Sequence, residues 1–231
     1  RMVLPRDVLL GYTDSKIDRL QKKLNSDKRI GIIETEVQKR QAEIDGLASS
    51  KQVLVELPAY EDEVTFRIGQ IYAEIKRFWE GFVLFDKLYQ QDRTSEIGEA
   101  AMLQSVLVLY DVKEIKRAEE RILTYLSEQP DGQYARTLLS LMMRDNLVKQ
   151  EFADVVRLKD SMDLIPESSN IDERALQADL HYMMAFGQFQ SRNYAGAEVE
   201  FGMILAEYQN SIHFNDARYY RGMTRMLQAR Y

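Results

Sequence analysis

Apolar positions along this chain keep two different periods, and the change comes near residue 58. In the first part, Leu10, Thr13, Ile17, Leu20 and Leu24 alternate steps of three and four. Ile33, Val37, Arg40, Ile44, Leu47, Lys51 and Leu54 alternate four and three. Such heptad-like stripes put one face on each of two long helices. The run Asn25-Ser26-Asp27-Lys28-Arg29 predicts the turn between them, with Pro5 and Pro58 as the outer limits. Residues 1–57 therefore read as a long antiparallel helical hairpin. It either packs on the segment that follows or pairs with a second copy as an oligomerising coiled coil. Arg40 and Lys51 on the seam weaken the second reading, because charge is costly at a buried coiled-coil position.

Beyond residue 58 the pattern becomes a repeat. Phe78, Ile115, Phe152, Tyr194 and Tyr231 are spaced 37, 37, 42 and 37 residues apart. Pairs of compact or apolar residues recur twelve residues apart: Gly69 and Gly81, Val106 and Ala118, Met143 and Val155, Ala185 and Ala197. Gly222 continues the first member of the series. A twelve-residue offset lets a chain descend one helix, turn, and return to the same level on an antiparallel partner. A period of this length marks a solenoid whose units bury their apolar faces only by stacking.

The irregularities are also informative. The longer step contains Pro166-Glu167-Ser168-Ser169-Asn170, a loop cluster, and Asn170 with Glu173 predicts a capping box that opens the next helix. Pro130 ends the second helix of the second unit. Four residues after Gly81, Ala118 and Ala197 stand Phe85, Ile122 and Phe201, but the third unit has Lys159 there. Residues 58–231 thus predict about four helix hairpins plus the first helix of a fifth. That last helix, over 215–231, is expected to pack on the second helix of unit four and to leave an apolar edge. Because the chain opens on Arg1 and stops within a unit, it reads as a piece of a longer protein.

The series Phe66-Arg67-Ile68-Gly69-Gln70-Ile71-Tyr72 with Phe78, Gly81 and Phe85 resembles the tetratricopeptide repeat, as does Tyr194-Ala195-Gly196-Ala197 with Phe201. Tyr208-Gln209-Asn210-Ser211 followed by Asp216-Ala217-Arg218-Tyr219-Tyr220-Arg221-Gly222 is similar to the linker of bacterial envelope members, such as Tol–Pal accessory proteins and outer-membrane assembly lipoproteins. The resemblance implies an all-α, right-handed superhelical solenoid of helix-turn-helix (TPR-like) repeats, preceded here by the long antiparallel hairpin. It also implies a concave groove lined by the first helices. The groove positions would be Phe66, Gln70 and Ala73; Leu103, Leu107 and Tyr110; Ser140, Arg144 and Leu147; Tyr182, Phe186 and Phe189; and Tyr219, Met223 and Met226. Some of these aromatics would instead be buried between repeats. Chaperone-binding relatives clamp a terminal carboxylate with Lys and Asn at the first two positions, and this chain has no such pair.

Composition removes several alternatives. The 231 residues hold no cysteine, which excludes disulfides, zinc–thiolate sites and thiol catalysis. Residues 1–51 carry eleven Lys and Arg against eight Asp and Glu, whereas the whole chain is at −6, so no concentrated basic footprint for nucleic acid emerges. No apolar run is long enough for a transmembrane helix. His181 and His213 lack a second histidine or cysteine at ligand spacing, so no metal site and no cofactor is expected. Glu61, Asp62 and Glu63 read as macrodipole partners at a helix start, not as catalytic acids. The expectation is a non-enzymatic scaffold that binds another protein or peptide segment, in the periplasm or associated with the envelope as the resemblance implies. A cytoplasmic regulatory or oligomerisation domain of a larger machine is the alternative. Homo-oligomers could form through the hairpin or through the open C-terminal edge.

Overall fold

The computed structural model describes residues 6–30, 34–56 and 60–229, and all of its regular structure is helical. Pro5, Ile33, Pro58 and Tyr231 lie outside the described residues. The chain divides into two compact units, Arg1–Ile71 and Tyr72–Tyr231.

In the first unit, α1 (Arg6–Ile30) and α2 (Glu34–Glu56) pack against each other, and α3 (Glu61–Glu74) begins. The stripe residues Leu10, Thr13, Ile17, Leu20, Val37, Arg40, Leu47, Lys51 and Leu54 are half-buried, and Leu24 and Ile44 are buried. Ion pairs join Asp14 to Lys51 at 2.6 Å and Asp27 to Arg40. These pairs run in opposite senses along the two helices, which makes α1 and α2 antiparallel. They also answer the charged seam positions, because Arg40 and Lys51 each find a carboxylate on α1. The expected turn at 25–29 is not one: α1 continues through it to Ile30. Asn and Ser there are weak formers, but a long packed helix overrides local propensity. At the start of α3, Glu61 accepts from the Arg6 backbone N–H at 3.0 Å and from that of Tyr60 at 3.1 Å. Its own backbone N–H, then that of Arg6 and, less, that of Tyr60 hold the carboxyl below the usual range.

The second unit continues with α4 (Phe78–Gln91), α5 (Glu96–Asp111), α6 (Ile115–Glu128), α7 (Ala135–Val148), α8 (Phe152–Arg157), α9 (Lys159–Leu164), α10 (Ile171–Gln190), α11 (Tyr194–Glu207) and α12 (Phe214–Gln228). Packing is mostly sequential, α4 on α5, α5 on α6, α6 on α7, α10 on α11 and α11 on α12, with α7 and α8 both against α10. Phe78, Ile115, Phe152 and Tyr194 are each the first residue of a helix. Just before them, Lys76, Lys113, Gln150 and Arg192 adopt left-handed φ of 62–65°. At each turn the next N–H reaches back to close the preceding helix: Arg77 to Tyr72 O, Glu114 to Leu109 O, Glu151 to Asn146 O and Asn193 to Gln188 O, all at 2.8–2.9 Å. This is the Schellman arrangement, completed by a second bond from the N–H of the left-handed residue to the carbonyl three residues back, at 3.0–3.1 Å. One turn geometry therefore recurs four times at the sequence period.

The compact positions Val106, Ala118, Met143, Val155, Ala185 and Ala197 are fully buried. Gly222 is exposed, with open space where a side chain would begin. The 42-residue step is accommodated by the loop ahead of α10, where Asn170 caps the backbone N–H of Asp172 at 2.8 Å. The reciprocal half of the box does not form, since the Glu173 carboxylate pairs with Arg136 at 2.9 Å. In the irregular third unit the second helix breaks into α8 and α9 at Leu158. Lys159, in the place that Phe85, Ile122 and Phe201 fill elsewhere, reaches Glu200 of α11 at 3.1 Å. Helix α12 leaves Tyr219 and Met226 exposed beside Asn215, Asp216, Arg218 and Arg225, so its outer face is mixed and not simply apolar.

Candidate functional site

The predicted groove residues fall into three groups. Phe66 lies half-buried on α3 in the first compact unit. Leu103, Leu107 and Tyr110 lie on α5, with Leu103 and Tyr110 packed against the main core and Leu107 exposed. The Tyr110 hydroxyl is buried without a hydrogen-bond partner, and burial raises its pKa, with Asp145 and Glu119 adding to the effect.

The third group gathers where α10, α11 and α12 meet. Tyr182, Phe186 and Phe189 project from successive turns of α10. Phe186 lies against Tyr182 at 6.3 Å and meets Tyr220 edge-on at 5.7 Å, and Phe189 meets Tyr220 at 5.3 Å. Phe201 of α11 is fully buried and stacks on Tyr220 at 5.7 Å. Tyr220 was not among the predicted groove residues, yet it is the hub of this cluster. Phe186 and Phe189 are half-buried, Met223 likewise, and Tyr219 is 63% exposed. Of this group, Tyr219 is the aromatic ring most open to a partner.

A polar chain runs along one side of the cluster. His213 Nε2 lies 2.9 Å from Asp179 Oδ1, and Arg144 donates to the other Asp179 oxygen at 3.1 Å. Tyr182 stacks on His213, and burial, with Asp216 and Tyr220 nearby, pushes its pKa up to about 12. Arg144 thus spends its charge on Asp179, although its side chain stays exposed.

Beneath the surface is a second charged group that sequence spacing did not reveal. Glu200, nearly fully buried, lies in hydrogen-bond contact with His181 Nδ1 at 2.7 Å and takes the Lys159 ammonium at 3.1 Å. Burial alone would raise the Glu200 pKa, but the His181 and Lys159 contacts more than offset it and hold the carboxyl below its usual value. The only advance signal was Lys159 standing out of pattern: besides Asp163 one turn on, at 2.5 Å, it reaches Glu200, 41 positions further on and beyond any helical spacing. Among the described residues no group of three metal-ligating side chains converges. No described helix is long and apolar enough to cross a membrane. Compared with protein-family models, with curated proteins and with solved structures, the chain finds no match in any of the three.

Proposed function

We propose that residues 58–231 form a right-handed, TPR-like solenoid that works as a non-enzymatic scaffold, holding a peptide or helical segment of another protein along its first helices. The observation that carries this reading is the recurrence of one Schellman turn at Lys76, Lys113, Gln150 and Arg192, in step with buried compact residues. Equal turns repeat the geometry at which one helix leads into the next, and repeated geometry builds an extended, curved binding surface. Exposed Leu107 and Tyr219 lie on such first helices and supply apolar anchor area. The resemblance to envelope repeat proteins extends the proposal to a role in a bacterial cell-envelope assembly.

Photo-crosslinking residues at Leu107, at Tyr219 and at Val199 test this. Val199 is equally open but sits on α11, a second helix. The same partner segment should be captured from Leu107 and Tyr219 and not from Val199. Capture independent of position, or strongest from Val199, would reject the groove.

A further inference from the structure

Helix α4 carries Trp79, Phe82 and Tyr89 at steps of three and seven, which is one face of a helix, and Arg93 stands two residues past its end. Helix α6 turns Arg117 and Arg121, one turn apart, toward that face. The result is an alternating ladder of rings and cations. The Arg117 guanidinium lies over Trp79 at 5.4 Å and over Phe82 at 5.7 Å. That of Arg121 lies over Phe82 at 5.5 Å and over Tyr89 at 5.3 Å, and Arg93 closes the series over Tyr89 at 5.4 Å. A cavity of about 270 Å³ opens between the two helices, lined by Phe82, Tyr89 and the three arginines with Leu109 of α5.

The charges along this cavity are unequally answered. Arg93 pairs with Glu128 at 2.6 Å, and Arg121 pairs with Asp86 at 2.7 Å while its Nε donates to Ser105 at 2.8 Å. Two sets of donors remain. Arg121 Nη2 is buried with no hydrogen-bond partner, and Arg117 forms no ion pair among the described residues. A guanidinium over a ring uses its face, so the N–H groups in its plane stay free to fork onto an oxyanion. A buried donor left unanswered costs free energy that a bound acceptor would recover.

We infer that this cavity is a binding site for a small monocarboxylate bearing a flat apolar group. The carboxylate would sit against Arg117 and Arg121, and the apolar group against Phe82 and Tyr89. The volume lies just below that of pockets for drug-sized ligands, which limits the ligand to a small acid. Glu120 and Glu128 are the acids that line the cavity against its three arginines, and that single excess of positive charge suits one negative charge on the ligand better than a phosphate dianion or a nucleic-acid backbone. The site uses α4, α6 and Leu109 of α5 and none of the groove residues proposed above.

Trp79 is the chain's single tryptophan, and its place beside Arg117 makes it a built-in reporter. The test is titration of the full chain with sodium phenylacetate, with neutral phenylacetamide as counterpart, at constant ionic strength. Trp79 emission should change saturably with phenylacetate and respond at least about tenfold more weakly to the amide, the difference one charged hydrogen-bond pair makes. Arg117→Gln should weaken phenylacetate binding by about tenfold, followed through backbone amide resonances of α4 and α6 because the substitution itself alters Trp79 emission. Arg117→Lys, which keeps the charge and loses the fork, should fall between the two. Arg117 is exposed, so its variants should melt with the parent chain. Equal response to the amide, no saturation, unchanged affinity in Arg117→Gln, or saturation by inorganic phosphate with none by phenylacetate would each overturn the assignment.

Discussion

The ring of Tyr182 lies flat on the imidazole of His213, with centroids 4.1 Å apart and planes 6° from parallel. His213 precedes α12, and its other edge is tied to Asp179 of α10, which in turn holds Arg144 of α7. One stacked pair therefore fastens the loop between α11 and α12 to two first helices. It also covers one face of the Tyr182 ring. Aromatic residues with one spacing and one predicted role are thus separated by structure into those that join helices and those that remain open.

That separation makes Phe186 and Tyr219 unequal. Phe186→Ala removes a ring from contact with Phe152, Tyr182 and Tyr220 and should cost about 3 kcal/mol of stability. Tyr219→Ala should change stability by less than about 0.5 kcal/mol, as exposed substitutions do, while weakening partner binding. Urea unfolding of both variants distinguishes them. If Tyr219→Ala unfolds as early as Phe186→Ala, Tyr219 belongs to the core and cannot serve as an open anchor.

Glu200→Gln should cost about 1–3 kcal/mol, because it removes the buried carboxylate from His181 and leaves the half-exposed Lys159 with Asp163 as its remaining partner. The sign of the pH dependence follows from the depressed carboxyl pKa. Its stabilisation is complete above the unfolded-state value near 4.5 and is lost as pH falls through the lower folded value. Parent and variant should therefore converge in melting temperature as pH drops through that lowered folded value. A constant difference across that range would show that the carboxylate charge is not what stabilises the cluster.

Two glycines should respond oppositely to alanine. Gly222 faces open space within α12, so Gly222→Ala should stabilise by about 0.5–1 kcal/mol through helix propensity alone. At Gly98, in the first turn of α5, an added Cβ would collide with the Asp92 carbonyl and with Ser95 Oγ, the cap of that helix. Gly98→Ala should cost about 1–3 kcal/mol. Thermal unfolding measures both. A loss at Gly222 would mean that another surface approaches there in solution.

The recurrent turn gives a further check. Gln150 holds a left-handed φ of 62°, which an L side chain adopts at a cost of about 1–2 kcal/mol and glycine adopts freely. Gln150→Gly should raise stability by about 0.5–1 kcal/mol, because part of that relief is lost to the greater freedom of glycine in the unfolded chain. The same exchange three residues earlier, at Leu147 within α7, should destabilise. Denaturant midpoints of the two variants measure both effects, and a loss in Gln150→Gly would show that the Gln150 side chain contributes more than its left-handed backbone costs.

Helix pairing at a 37-residue step and the burial of Val106, Ala118, Ala185 and Ala197 were determined by the sequence itself, since they depend on local periodicity and on side-chain size at the closest approach of two helices. The inward stripes of α1 and α2 were determined in the same way, although the turn between them was misplaced because packing carried α1 past a run of weak helix formers. Only the tertiary structure decided that Tyr220 organises the aromatic cluster, that Lys159 leaves its core position for Glu200, and that Arg117 and Arg121 layer between the rings of α4. These contacts join residues on different helices, and their geometry depends on how far each long side chain reaches across a packed interface. No periodicity along a single chain encodes that reach, because it is set by helix separation and by which competing partner lies closest.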